Sequence, residues 1–574
     1  MPEVRQDFGI RVYGGLNVAD QEDQLVLRSH VQTQSGYQQK YPAESPDLLN
    51  IDFTKTGIKK RFGSTVDRSL TAAAVADDEV IDGIEFVAAS SGTRYEIVVG
   101  KKSIYISDGA AAFTQILDDS GAAYTHDTDV AKCSFAALDG HLFIGLDGSN
   151  DMQVFRDDGA LDPPFANGNN YIEAYDTTAV NAINNVVPQG AYMVESIHER
   201  LCYSTGNVLT YYTSHAFTSS SGLWDSPAVD FYSTAGRVKS LTAFAPILDD
   251  SLNEVMYIGS ESGFDVVTGF GSSDFPVRIR GAKAPINHRS ITTSKNWLLY
   301  LTRDKNIYAI NKTNVIDIGR RLKTDERDGP LDDMNITASQ TGAFAFYSSD
   351  KEQAYFFYSS EDVYHNDYCI VCDLKLGEPV VGEGLYQYET RVRNLVWEKA
   401  YGDTMPAEKR WFSGLYQGDG FVYGLFSDSN AANQKVYKFL SSENDDDLDT
   451  APVSGHWKSP IFIANAEEDN KQWMVLTTRV KPKGSHTLTV DLYIDRGSAA
   501  ETSFTFEQYS TNVGLWDIAL WDTGVWAGDQ VVKNTKDIDL YSDALQWQYS
   551  NTSAAEPFEI SSCGIRYQIG AEER

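Results

Sequence analysis

The chain has 574 residues, and its 81 Asp and Glu outnumber its 48 Lys and Arg, for a formal net charge of −33. This excess opposes general binding to phosphate backbones, which requires clustered basic residues. It suits a highly soluble protein, or a surface along which nucleic acid slides without sticking. The sequence contains no apolar run near the ~18 residues of a membrane span and no apolar segment at the N-terminus, so we predict neither stable membrane association nor a secretory signal.

The first 66 residues are predicted to form an N-terminal arm. Residues 8–17 form a β-like segment that ends in a turn at Gly14-Gly15, and a polar, Gln-rich stretch follows over residues 21–39. Residues 48–53 alternate as a strand, a turn follows at Thr56-Gly57, and residues 58–62 return with a basic edge. We interpret the region as an arm that crosses other elements or reaches a second subunit.

A short β unit then recurs along the chain, and its clearest copy spans residues 281–310. There, polar turns separate short apolar strands that have no 3.6-residue period and are too short for globular helices. Looser copies occupy residues 95–107, 141–155, 200–212, 255–267, 351–374 and 412–425. Spacings of roughly 40–60 residues are typical of propeller blades. We predict an all-β chain with a β-propeller of about seven blades over residues 67–452; separate β-sandwiches with coincidental spacing are the alternative.

The spacing of the strand-like segments changes at residue 453, and this change predicts a C-terminal β-sandwich over residues 453–574. The acidic run at residues 443–449 that precedes it is interpreted as a solvated loop. Within the predicted sandwich, Trp516, Trp521 and Trp526 are spaced five residues apart, which fits neither one strand face nor one helix face. We interpret them as packing residues between turns of the sandwich, with a carbohydrate-stacking platform as the alternative.

No catalytic constellation is evident. The chain has no G-x-S-x-G, no H-E-x-x-H, no Gly-rich phosphate loop and no dinucleotide fingerprint. Cys369 and Cys372 form a CxxC, but they lie in an apolar strand-like run where positions i and i+3 face opposite ways. Five cysteines are an odd, sparse set that argues against a disulfide framework. We predict no enzymatic activity, no metal and no cofactor. The alternative that two carboxylates form a glycosidase pair stays open, because the chain has so many acidic residues.

An ordered series of motifs resembles the propeller-type tail proteins of bacteriophages. GGLN at residues 14–17 and LLNIDFTKTGIKKRFG at residues 48–63 carry the likeness at the N-terminus, and GAKAPINHRSI at residues 281–291 resembles the family's lead into a blade. LWDIALWDTGVW at residues 515–526 resembles its Trp-Asp element. The passage at residues 215–244 matches through Trp224, Phe231, Gly236, Val238 and Leu241. The likeness covers most of the chain and is weakest over residues 65–190.

The resemblance implies a structural protein of the virion: the tail nozzle of a short-tailed phage, made in the host cytoplasm and assembled into the tail. Such proteins form a homo-oligomeric ring, typically a hexamer, below the portal and adaptor proteins. Tail fibres or spikes are further partners, and double-stranded DNA passes through non-specifically. The alternative function is a glycan-binding or glycan-cleaving propeller at the host cell surface. A WD-repeat scaffold is a weaker third reading, since regular Gly-His and Trp-Asp pairs are absent.

A ring requires heterologous interfaces that close, which directs attention to the N-terminal arm. Deleting about residues 1–35 is therefore expected to impair particle assembly while leaving the monomer folded. The predicted subunit-interface residues are Phe8, Val12, Gly14, Gly15, Asn17, Phe53 and Arg61.

Overall fold

The structure of the chain is a computed structural model, in which a series of residue ranges is described. These are residues 5–17, 22–33, 36–41, 43–54, 57–70, 78–88, 92–109, 112–118, 121–138, 141–156, 171–174, 189–197, 200–206, 209–212, 231–233, 238–244, 247–248, 251–252, 255–267, 277–294, 297–311, 314–322, 329–360, 366–376, 385–389, 410–428, 435–442, 453–463, 471–481, 486–508, 531–552 and 557–569.

The N-terminal region consists of short strands and one helix. The helix, α1, lies in the Gln-rich stretch, where the sequence indicated only polar character, and it buries Leu25 and Val26. The elements are β1 (Arg5–Ile10), β2 (Tyr13–Leu16), α1 (Glu22–Ser29), β3 (His30–Thr33), β4 (Gly36–Gln39), β5 (Ala43–Ser45), β6 (Leu48–Leu49), β7 (Ile51–Thr54), β8 (Gly57–Lys60) and β9 (Gly63–Ser69).

Seven four-stranded antiparallel sheets follow, and the first three are formed by consecutive strands. Blade 1 contains β10 (Val80–Val87), β11 (Arg94–Gly100), β12 (Ile104–Ser107) and β13 (Thr114–Gln115). Blade 2 contains β14 (Cys133–Leu138), β15 (His141–Leu146), β16 (Gln153–Arg156) and β17 (Tyr171–Ala174). Blade 3 contains β18 (Met193–Ile197), β19 (Arg200–Ser204), β20 (Leu209–Tyr212) and β21 (Phe231–Ser233).

Blade 4 interrupts this order with a small hairpin, and a short helix separates blades 5 and 6. Blade 4 contains β22 (Val238–Phe244), the hairpin β23 (Ile247–Leu248) and β24 (Ser251–Leu252), then β25 (Val255–Ser260), β26 (Gly263–Val267) and β27 (Val277–Arg278). Blade 5 contains β28 (Ile291–Ser294), β29 (Trp297–Leu301), β30 (Ile307–Asn311) and β31 (Asn314–Asp317). After a 3-10 turn at Gly319–Leu322 and helix α2 (Ile336–Gly342), blade 6 contains β32 (Phe344–Ser348), β33 (Gln353–Tyr358), β34 (Tyr368–Asp373) and β35 (Leu385–Glu389), with a 3-10 turn at Leu374–Leu376.

Blade 7 is completed by a strand from the beginning of the chain. It contains β36 (Arg410–Gly418), β37 (Phe421–Asp428) and β38 (Lys435–Ser442), and β38 pairs with β9 as the fourth strand. The inner strands of successive blades contact one another, and β36 of blade 7 contacts β10 of blade 1. The sheets therefore close into a ring, and the predicted β-propeller fold is confirmed, with seven blades in the described part of the chain.

The blades follow from simple local rules. Strand β29 (WLLYL) has five buried residues in succession because each blade is packed between two neighbours. The tight hairpin between β36 and β37 places Asp419 and Gly420 at φ values of 43° and 79°. Positive φ at both central residues is the geometry that matches the twist of a two-residue hairpin.

The last strands form two packed sheets with the N-terminal strands. They are β39 (Gly455–Lys458), β40 (Lys471–Lys481), β41 (Thr487–Ile494), β42 (Thr502–Glu507), β43 (Val532–Ser542), β44 (Leu545–Asn551) and β45 (Glu559–Ile569). One sheet has the order β3-β4-β1-β45-β40-β43, with β7 and β8 joined to β45, and the other has the order β42-β41-β44-β39-β6. Trp457, Trp473 and Trp547 are completely buried in the core between the sheets.

The N-terminal region is thus shared between two bodies. Strands β1, β3, β4 and β6 to β8 join the two sheets of the sandwich, and β2 and β5 form a separate two-stranded sheet. Strand β9 completes the propeller, so the boundary predicted between residues 66 and 67 falls inside β9. The turn predicted at Gly14-Gly15 is wrong, because both residues lie within β2, which pairs in parallel with β5. The apolar core of the sandwich continues into blades 5, 6 and 7.

A charged network fixes the closing strand to the first blade. The Arg68 guanidinium on β9 pairs with Glu96 on β11 and donates to Ser107 Oγ at 3.0 Å. Tyr416 on β36 donates to the same Glu96 carboxylate. The network joins blade 7 to blade 1, where the ring is closed by residues that are distant in sequence.

Nearby, Asp78 is a fully buried carboxyl group at the start of blade 1. It accepts hydrogen bonds from the Lys102 N–H and the Tyr105 hydroxyl, both at 2.6 Å. Burial raises the pKa of Asp78 to about 6, and these hydrogen bonds oppose the rise only in part.

Because the folded-state pKa of Asp78 exceeds its unfolded value, the native state binds this proton more tightly than the unfolded state does. The stabilising contribution is fully present below about pH 4 and is lost as the pH rises through about 6, by up to about 3 kcal/mol. We expect Asp78→Asn to remove this dependence, so that the variant is the more stable protein above pH 6. Urea unfolding of both proteins from pH 4 to 7 measures the difference, and parallel stability curves would contradict the assignment.

Candidate functional site

The predicted interface residues at the N-terminus lie mainly inside the sandwich. The Phe8 side chain is 1 % exposed and stacks on Phe462, with ring centroids 4.3 Å apart. Its ring also meets Trp547 edge-on at 6.2 Å. Phe8 is therefore a core residue that attaches β1 to both sheets.

Close backbone packing favours glycine at position 14. A Cβ at Gly14 would lie 3.3 Å from the carbonyl carbon of Ala43 and 3.0 Å from Glu44 Cγ, because β2 runs directly beside β5. The buried Asn17 follows this strand; its side chain donates to Glu44 Oε2 at 2.7 Å, and its N–H donates to the Ser45 carbonyl at 2.9 Å.

Asn50 and Arg61 belong to the second stretch of the N-terminal resemblance, residues 48–63, and they contact each other. Asn50 has a φ of 55° and interrupts the strand predicted over residues 48–53, which becomes β6 and β7. Arg61 donates from Nε to Asn50 Oδ1 at 2.9 Å, while the Asn50 amide donates to the Ser454 carbonyl at 2.7 Å. Arg61 is 8 % exposed and Phe53 is 7 % exposed, so both belong to the chain's own packing.

Six of the seven predicted interface residues are thus buried within the chain, and Val12 is the exception at 52 % exposure. Buried side chains are occupied by intrachain contacts and do not form an outer surface. A subunit contact by this region stays a prediction, with Val12 as its surface residue. Trp516, Trp521 and Trp526 lie outside the described residues.

Phe8 and Val12 provide a matched pair of variants. We expect Phe8→Ala to destabilise the sandwich by about 3–5 kcal/mol, because it removes a fully buried aromatic ring. Val12→Ala changes an exposed side chain and should alter stability by less than about 0.5 kcal/mol. Chemical denaturation distinguishes the two.

We no longer expect a chain without residues 1–35 to stay fully folded, because that deletion removes β1 from the middle of a sheet.

A second cluster lies on the propeller axis. Residues 287–289, here called the axial segment, precede β28 of blade 5 and contact inner strands of several other blades. Arg289 Nε lies 2.9 Å from Asp82 Oδ2 on β10, and Arg289 Nη2 donates to the Ser413 carbonyl on β36 at 2.6 Å. The Arg289 carbonyl accepts from the N–H of Ala345 on β32 at 2.8 Å. Blades 1, 6 and 7 therefore meet at one side chain and its backbone.

His288, the other side chain of the axial segment, contacts two further blades. Its Nε2 lies 3.0 Å from the Cys133 carbonyl at the start of β14, and its ring packs edge-on to Tyr192, which immediately precedes β18. The His288–Arg289 pair thus touches blades 2 and 3 as well as 1, 6 and 7. Inner strands surround the axis of a propeller. Residues that contact four of them, and the residue that precedes a fifth, therefore lie across its axial opening.

Electrostatics make this cluster a fixed structural contact. Burial lowers the pKa of His288 to about 3, with Arg289 contributing, so the imidazole is neutral at physiological pH and donates from Nε2 to the Cys133 carbonyl. Burial raises the pKa of Asp82 and the Arg289 guanidinium opposes that rise. Burial also raises the pKa of the Cys133 thiol, which disfavours the thiolate that a nucleophile requires.

Sequence reasoning identified this stretch as a lead into a blade but assigned no role to His288 or Arg289. Their partners Asp82, Cys133 and Ser413 lie between 124 and 207 positions away from Arg289, so no local pattern joins them. The available signal was a His-Arg pair placed directly before the first strand of a blade.

Other candidate chemistry gives no site in the described part of the chain. Cys369 and Cys372 are both buried free thiols on β34, and burial raises the pKa of each. Within the described ranges no three His, Cys, Asp or Glu side chains gather as metal ligands. Among the described helices, none has the length and apolar character to cross a bilayer.

Arg289 offers a test of the axial contact. We expect Arg289→Met to destabilise the propeller by about 3 kcal/mol, because it leaves the Asp82 carboxylate buried without its cation. Arg566→Met breaks the exposed pair with Asp7 and should cost no more than about 0.5 kcal/mol. Thermal and urea unfolding provide the measurement. Adding Asp82→Asn to Arg289→Met should recover part of the loss, whereas strictly additive costs would contradict the coupling.

No family model matches the chain, and no curated protein matches it. Solved structures of low identity do match. YCF48 bound to a D1 peptide is 10 % identical over 69 % of this chain and 98 % of its own, with a TM-score of 0.35. A mitotic checkpoint complex chain is 13 % identical over 68 % and 96 %, with a TM-score of 0.35. The N-terminal part of BBS1 in complex with ARL6 is 8 % identical over 66 % and 97 %, with a TM-score of 0.33.

Proposed function

We propose that the protein is a structural component of a virion, the tail nozzle of a short-tailed bacteriophage, and that it is not an enzyme. One observation supports this most. The residues that carry the ordered resemblance at the N-terminus are those that build the sandwich: Gly14 at the β2–β5 approach, Asn17, and the Asn50–Arg61 pair. They therefore specify an architecture, a propeller joined to a sandwich, more than a site for chemistry.

The axial segment supports the same proposal. With His288 and Arg289 across the propeller axis, the propeller acts as a solid building block. In the proposed ring, typically of six copies, double-stranded DNA then passes between subunits. The ring contacts the portal and adaptor proteins on one side and tail fibres or spikes on the other.

Charge gives the proposed channel its physical property. Six copies would carry a net charge of about −200, and acidic groups on the wall repel phosphates. A repulsive wall avoids bound states that would slow DNA ejection. We expect Asp and Glu to outnumber Lys and Arg on the wall, and a wall lined by basic rings would overturn this part of the proposal.

The proposal is tested by locating the protein. Immunogold labelling of intact particles should place several copies at the tip of a short tail, and mass spectrometry of purified virions should detect the chain. If the protein is absent from virions and free in the lysate, the nozzle function fails. Glycan arrays and polysaccharide digestion then test the alternative, a glycan-binding or glycan-cleaving propeller at the host cell surface.

A further inference from the structure

A groove at one end of the sandwich carries basic side chains. It has a volume of about 500 Å³ and is lined by Arg11, Arg479, Val531, Ser561 and Ser562. Strand register explains how these residues come together. Arg479 on β40 lies opposite Ser562 on β45 and opposite Lys533 on β43, so the three share one face of the sheet. Arg11 follows Ile10, which is opposite Cys563, and enters the groove beside Ser562.

The cations in this groove have no anionic partner in the described part of the chain. Arg11, Arg479 and Lys533 are exposed, and no described carboxylate lies within ion-pair distance of them. Arg479 and Lys533 are directly opposite each other, an arrangement of like charges that destabilises a sheet.

Two other basic residues of the same sheet form ion pairs. Arg566 lies 3.2 Å from Asp7, and Lys481 lies 2.5 Å from Glu559. In a chain with 81 acidic residues, three neighbouring cations left unpaired mark a surface that is complementary to an external anion.

We propose that this groove receives an exposed acidic segment of a second copy of the same chain. Two guanidinium groups and the Ser562 hydroxyl suit carboxylates, which arginine binds through two parallel hydrogen bonds. Val531, at 42 % exposure, and Val12, at 52 % exposure, add apolar surface on and beside the groove. Most of the charged surface of a second copy is acidic, so the chain itself supplies the complementary charge.

The charge of the groove also determines the symmetry of the contact. Two copies cannot join groove to groove, because arginine would face arginine. The groove of one copy therefore meets a different, acidic surface of the next. In the proposed ring this contact repeats head to tail, as a heterologous contact that closes. The inference rests on the proposed function only where it expects a ring. It identifies the groove as one of the two surfaces that meet at the subunit contact.

Sedimentation velocity of the full-length protein tests the contact across protein concentration and salt. We expect the wild type to associate, and the double variant Arg11→Glu/Arg479→Glu to bind at least about tenfold more weakly. Arg303→Glu, which makes the same change at an exposed turn of blade 5, is the control and should associate like the wild type. All three sites are exposed, so circular dichroism and melting temperature should be unchanged.

A mixing experiment tests the heterologous geometry. The double variant keeps the acidic surface and lacks the groove, so adding it to wild type should cap growing assemblies and lower their mean mass. Assemblies of unchanged mass would overturn the head-to-tail contact. Association of the double variant at wild-type strength would overturn the groove and leave the virion location intact.

Wild-type protein that stays monomeric throughout would also refute the groove contact, whereas particle labelling tests the proposed function separately. A short DNA duplex distinguishes phosphate as the occupant. If it binds the monomeric wild type and not the double variant, the second-copy proposal fails.

Discussion

A ring of blades can close only if strands that are far apart in sequence pair with one another, and this constraint organises the whole chain. Here β9 supplies the outer strand of blade 7, so the propeller is complete only when residues near the start meet residues beyond position 435. The Arg68–Glu96–Tyr416 network lies where blade 7 meets blade 1. Loop-closure entropy opposes such non-local pairing, and buried, hydrogen-bonded contacts at the junction offset it.

The same N-terminal region imposes a second closure on the sandwich. Strand β1 is inserted between β4 and β45, and β6 extends the other sheet beside β39. Since β9 follows β8 almost directly, the sandwich and blade 7 are joined by a few residues of chain and by a continuous apolar core. Motion of one body relative to the other would expose this core, so the two bodies are expected to act as one rigid unit.

Inside the ring, the axial segment adds a hub that inner-strand pairing alone does not provide. Propeller blades mainly contact their neighbours, whereas His288 and Arg289 join blades that are not adjacent. A neutral imidazole and a paired guanidinium are suited to a buried axis because neither leaves an uncompensated charge. Together these contacts describe a stiff block with a strongly negative net charge. The unpaired cations of the sandwich groove are the exception to that charge.

The sequence by itself determined the fold class and the repeat. Strands such as Trp297–Leu301 are short, apolar and bounded by turn residues, and this local pattern needs no tertiary information. It did not determine helix α1, whose sequence is mostly polar. Burial of Leu25 and Val26 against the rest of the fold stabilises this helix.

Only the tertiary structure decided the roles of the motif residues. The local sequence predicted a turn at Gly14-Gly15. In the structure both residues lie in strand β2, and Ala43, a residue outside the local pattern, lies close to Gly14. The local sequence also made Phe8 and Arg61 candidates for a neighbouring subunit, yet their partners Phe462 and Asn50 belong to the same chain. Strand pairing also placed Arg11, Arg479 and Lys533 side by side from distant positions. Local propensity specifies strands, whereas the pairing of distant strands is a property of the closed fold.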